Sequence, residues 1–134
     1  MRRMVIHPSD LGMSIGMGAG EIHAVLDDAG AEILSPVYAR YHEITETAID
    51  LEIGYIVAAK VGDWHLAISE LPAGREAVLV HEGAYDELRG ALEELSAWIE
   101  ANAEKRDAPW ELYLTVPDEL PVADWRTEVV WPIV

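Results

Sequence analysis

At 134 residues the chain is long enough to bury a hydrophobic core as one domain, with no need of disulfides or a structural metal. It has no cysteine, which excludes disulfides, thiolate metal ligands and thiol catalysis. Nine Lys and Arg against 25 Asp and Glu give a formal charge of −16, the wrong sign for neutralising phosphates, so nucleic acid is not expected as a direct partner and cations are favoured instead.

The opening "MRRMVIHPSDLG" carries two arginines but no apolar segment behind them, and no run of about 18 apolar residues follows, so no export signal, membrane span or membrane partner is expected and the chain reads as cytoplasmic. Next comes "IGMGAGEIHAVL", whose Gly-x-Gly-x-Gly resembles a phosphate loop. A dinucleotide site needs a hydrophobic strand before it and a parallel crossover after it; here "HPSDLGMSI" precedes and hairpins follow, so the glycines are read as a turn into a helix. That helix is expected from about Gly20 to Leu34, with Ile22, Val25, Leu26, Ala29 and Ile33 on one face. "SPVYARYHEI" and "IDLEIGYIV" then read as strands joined by the polar turn "TETA".

"HLAISEL" alternates as a strand, "PAGR" reads as a turn and "EAVLVH" as a second strand. The longest periodic segment runs from Asp86 to Arg106 and places Leu88, Ala91, Leu92, Leu95, Trp98, Ile99 and Asn102 on one helical stripe, which makes Trp98 either a core residue or a cleft wall. "APWELYLTV" and "RTEVVWPIV" close the chain as strands around the polar "PDELPVADW".

After each helix the same signals return: a proline, an aromatic strand, a polar turn and a strand holding a glutamate. Laying "LEIGYIV" on "TEVVWPI" superposes Glu52 on Glu128, and laying "ARY" on "ELY" superposes Tyr41 on Tyr113. Such self-similarity predicts two copies of one β-α-β-β unit, each too small to bury a helix face alone. The expected fold is therefore α+β: duplicated β-α-β-β units in one domain over residues 1–134, the first repeat about 5–58 and the second about 64–134, with an antiparallel sheet, two helices on one face and a ligand cleft between the repeats.

No metal or cofactor is expected. "HEITE" and "HEGAY" begin like a zinc-protease motif but lack its second histidine, and the five histidines are scattered without ligand spacing. Alternation is the more informative signal. If Trp110, Leu112, Leu114, Val129 and Trp131 face the helices, then Glu111, Tyr113 and Glu128 face away from them, with Tyr41 and Glu52 as the matching pair in the first copy. Carboxylates among rings suit an apolar cation, through stacking, cation–π contact and desolvated charge. The bland reading is a solvated sheet face, on which acids and tyrosines are common.

"ELPAGREAVLVHEGAYDELRGALEELSAWIE", "PWELYLTVPDE" and "DWRTEVVWPI" together resemble the GyrI-like small-molecule-binding domain, which also forms the effector-binding half of multidrug-sensing MerR-type and AraC-type regulators. The resemblance is strong from about residue 55 to 134 and looser before it, where much of an opening strand is expected to be missing. It implies binding of bulky aromatic, often cationic compounds, with Glu111 as the acid that meets the ligand's charge and Tyr113 and Glu128 beside it. Val130 stands where relatives often have an aromatic. No helix-turn-helix precedes the domain, so a free-standing binder that sequesters or senses a drug or metabolite is the expectation. Two alternatives stay open: a hydrolase that opens strained cyclopropane rings of DNA-alkylating natural products with Glu52 and Glu128 as its acid–base pair, and a protein-interaction module resembling gyrase inhibitors.

Overall fold

The computed structural model describes residues 1–62, 66–116 and 119–134. Among these residues, six antiparallel strands and two α-helices form an α+β structure that divides into two compact units, Met1–Leu71 and Pro72–Val134.

The first unit runs β1 (Arg2–Ile6), α1 (Leu11–Asp28), β2 (Tyr38–Ile44), β3 (Ile49–Gly54). β3 lies between the other two strands and pairs antiparallel with both. In β1 the residues alternate between partly buried Arg2, Met4 and Ile6 and exposed Arg3 and Val5, as a strand with one covered face must. Met4 pairs with Leu51 and Arg2 with Ile53, so these share the face on which Gly18, Ile22 and Leu26, one buried stripe of α1, come to rest. A Cβ on Gly18 would sit 3.0 Å from Ile53 Cδ1: glycine there lets the helix approach the sheet.

Two expectations for this unit are corrected. The opening strand is present, with all five of its residues in register with β3. The helix starts at Leu11 rather than Gly20, after a single 3-10 turn, Pro8–Asp10, in which the His7 ring accepts the Ser9 amide. The glycine run therefore lies inside α1 and is neither a phosphate loop nor a turn; helix propensity argued against this, and burial of the Gly18–Ile22–Leu26 stripe outweighed it. At the other end the helix stops before Ile33. Gly30 takes a left-handed φ of 67°, and the amides of Gly30 and Ala31 donate to the carbonyls of Asp27 and Leu26, a Schellman termination. Ile33 instead forms an isolated bridge with Val57.

The second unit repeats the order: β4 (Glu76–Glu82), α2 (Leu88–Asn102), β5 (Trp110–Tyr113), β6 (Arg126–Pro132), with β6 between β4 and β5. Leu88, Ala91, Leu95 and Ile99 form the buried stripe of α2 as periodicity predicts, but Trp98 is 52% exposed and Asn102 also faces solvent. In β4, Ala77 is buried while Val78 and Val80 are about half exposed, so α2 covers the face of Ala77, shared through β6 with Thr127 and Val129. "HLAISEL" is not a strand: Leu66–Leu71 is irregular and His65 lies outside the described residues. Alternation predicted it, but Leu66–Leu71 takes no place in a ladder; within it the Ala67 amide bonds Met1 O.

Candidate functional site

Two buried carboxylates organise the chemistry, one in each unit. In the second unit Glu111, on the four-residue strand β5, is 3% exposed. The Tyr113 hydroxyl, two residues along the same face, donates to Glu111 Oε2 at 3.4 Å. Tyr85, in the 3-10 turn before α2, packs its ring 5.3 Å from that of Tyr113 and 4.8 Å from that of Trp125, which precedes β6. The Trp125 indole is held by donation to Leu120 O at 3.0 Å. Burial raises the Tyr85 hydroxyl above its ordinary pKa, so the ring stays neutral at physiological pH. Tyr85 and Trp125 are partly exposed while Glu111 is not: the rings reach water and connect through Tyr113 to the buried carboxylate.

In the first unit Glu52 is 1% exposed at the centre of β3. Its Oε2 accepts the Tyr38 hydroxyl at 2.6 Å; His42 Nε2 lies 3.0 Å from Oε1, and the Ser69 hydroxyl donates to the same oxygen at 3.3 Å. Desolvation first, and then the hydrogen bond and charge of Glu52, hold the Tyr38 proton far above the ordinary tyrosine pKa. Arg40, which pairs across from Glu52 on the same face, donates to Glu70 O at 3.5 Å. Three donors on one buried carboxylate satisfy the rule that buried charge must be hydrogen-bonded.

Register revises the expected faces. Residues directly opposite in an antiparallel pair share a face, and Glu111 stands opposite Val129 while Tyr113 stands opposite Thr127. Glu111 and Tyr113 therefore lie on the α2 side with Val129, whereas Glu128, half-buried between Leu112 and Val80, lies on the other side. The first unit repeats this split: Tyr41, 5% exposed, stands opposite Leu51 on the α1 face, and Glu52 occupies the reverse face with Tyr38. Of the core candidates, Trp110 and Val129 are buried but on opposite faces, Leu112 and Trp131 are half-buried, and Leu114 is exposed. Trp98 sits on the solvent side of α2, its carbonyl accepting from Asn102.

Sequence reading named Glu52, Glu111 and Tyr113, which are buried here, but not the residues around them. Tyr38, His42 and Arg40 share the parity that faces Glu52, so alternation within "YARYH" contained them, but choosing Tyr41 required the opposite parity. Ser69 and Trp125 come from irregular segments where no periodicity points inward.

The GyrI-like small molecule binding domain family matches residues 5–134. Among solved structures, the crystal structure of the EcmrR C-terminal domain superposes with a TM-score of 0.84 at 23% identity, covering 99% of this chain and 88% of that one. EcmrR in its cryo-EM DNA complex superposes at 0.83 with 24% identity, over 98% of this chain and 52% of EcmrR, so the chain spans about half the length of that protein. No curated protein matches the sequence.

Proposed function

Since the chain belongs to the GyrI-like small-molecule-binding family, we propose that it binds bulky aromatic cations, with Glu111 as the counter-charge and Tyr85, Tyr113 and Trp125 as the stacking surface. The observation that carries this reading is a carboxylate 3% exposed that accepts from Tyr113, one ring of an aromatic trio whose ring centroids lie 4.8 and 5.3 Å apart. A delocalised organic cation desolvates more easily than an ammonium or metal ion, stacks on ring faces, and is attracted by a carboxylate shielded from water. The formal charge of −16 raises the local concentration of such ligands. Binding that leaves the compound intact would serve sequestration or sensing.

Titration with an aromatic cation such as ethidium, followed by tryptophan quenching, tests this. Glu111→Gln should weaken binding at least about tenfold, which is about 1.4 kcal/mol, and Tyr85→Ala should weaken it while preserving the fold. Unchanged affinity in both variants would sink the assignment. A second reading, hydrolysis of strained rings, draws on the close contact of Glu52 with His42, since an imidazole beside a carboxylate is suited to general-base work. Mass spectrometry of compounds after incubation separates the two: intact mass for a binder, one added water for a hydrolase, with turnover lost in Glu52→Gln.

A further inference from the structure

The first unit contains a cavity of about 510 Å³ that cation binding at Glu111 leaves unused. Its apolar lining comes from Val57, Leu66 and Ile68 in the connection after β3, above Ile22 and Leu26 of α1, which are almost fully buried beneath it. Tyr38, Tyr55 and Ser69 contribute hydroxyls, and Lys60 and Glu70 are charged residues of opposite sign on its lining. The volume is of the size of small-molecule sites, about 300–1,000 Å³, and the pocket is open to solvent on the side of the exposed Ala67, Ile68 and Glu70.

We propose that this cavity is a second ligand site, for an uncharged molecule with an apolar body and one N–H or O–H donor. The donor requirement follows from how the hydroxyls are engaged. Tyr38 and Ser69 both give their protons to Glu52, at 2.6 and 3.3 Å, and Tyr55 gives its proton to Ala19 O at 3.4 Å. A hydroxyl that has donated retains only acceptor capacity, so these three hydroxyls offer an occupant acceptors and are matched by a ligand donor. Glu52 itself is 1% exposed and turned into its own network, so it does not present charge to an occupant. The site therefore selects differently from the one in the second unit, where a buried carboxylate joins partly exposed rings through Tyr113, and it stands or falls independently of it.

The probe is N-phenyl-1-naphthylamine, a neutral aromatic amine with one N–H whose emission rises in apolar surroundings. With the wild-type chain labelled at Ile, Leu and Val methyls, saturating probe should shift the resonances of Ile22, Leu26, Val57 and Ile68. Ala67→Trp, which places a ring in the cavity, should weaken binding at least about tenfold, while Glu111→Gln and Tyr85→Ala leave it unchanged. The N-methylated probe, lacking the donor, should bind several-fold more weakly. Absence of binding, shifts confined to other methyls, or loss of binding in the Glu111 and Tyr85 variants would overturn the site; equal affinity for the methylated probe would overturn the donor requirement. Because the methyl shifts are read on the wild-type chain, misfolding of Ala67→Trp does not rescue the proposal.

Discussion

Tyr38 is the residue on which the Glu52 network depends most, because its 2.6 Å bond is the shortest of the three to that carboxylate. Removing one donor from a buried acceptor leaves its desolvation uncompensated, so Tyr38→Phe should cost about 1–3 kcal/mol in urea denaturation. The same residue sets an alkaline limit. Its folded pKa is raised, so its contribution is fully present below the ordinary tyrosine pKa of 10.0 and is lost as pH rises towards the folded value. Stability should fall above pH 10 in the wild type and fall less steeply in Tyr38→Phe, a difference read from melting temperature against pH. Asp50 acts at the other end of the scale: its hydrogen bonds with Arg3, 2.9 Å each, lower its pKa, so its small contribution is present above 3.8 and disappears on acidification below it.

At the scale of elements, α1 is a helix of 18 residues with four internal glycines, and they are not equivalent. Gly18 meets Ile53 at 3.0 Å, whereas Gly12, Gly16 and Gly20 have nothing within 4 Å of an added Cβ. Replacing any of these three with alanine removes unfolded-state freedom without a clash and should stabilise the protein by about 0.5–1 kcal/mol each. Gly18→Ala should be neutral to destabilising, and Gly54→Ala clearly destabilising, because its Cβ would lie 2.8 Å from the Tyr38 hydroxyl and 2.9 Å from Met1 Cβ. Thermal denaturation of the five single variants ranks them directly; a destabilised Gly16→Ala would mean that the exposed face of α1 is not open.

For the whole molecule, charge is the property that acts beyond single contacts. With a formal charge of −16, affinity for an aromatic cation should fall as salt is raised from 50 to 500 mM, since the screening length shrinks from about 14 to about 4 Å. Affinity of the neutral naphthylamine probe should be nearly unaffected over the same range, so the two titrations separate long-range attraction from local packing. Among the described residues no helix is long and apolar enough to cross a membrane.

Residue order alone determined the α+β class, the buried positions Leu88, Ala91, Leu95 and Ile99 of α2, both strands of each hairpin, and Glu52, Glu111 and Glu128 as the acids to watch, without deciding which are buried. Each of these rests on local periodicity or on a motif, and those survive in a linear string. Tertiary structure decided the rest. Pairing register placed Glu111 opposite Val129 and Glu128 opposite Leu112, putting on opposite faces two acids that alternation alone assigns to one, because a strand's parity has no absolute sense until its partner is known. Packing against Ile53 drew the glycine run into α1 despite its low propensity. Partners from irregular segments, Ser69 for Glu52 and Trp125 for Tyr85, became visible only in space, since a coil carries no period by which to aim a side chain.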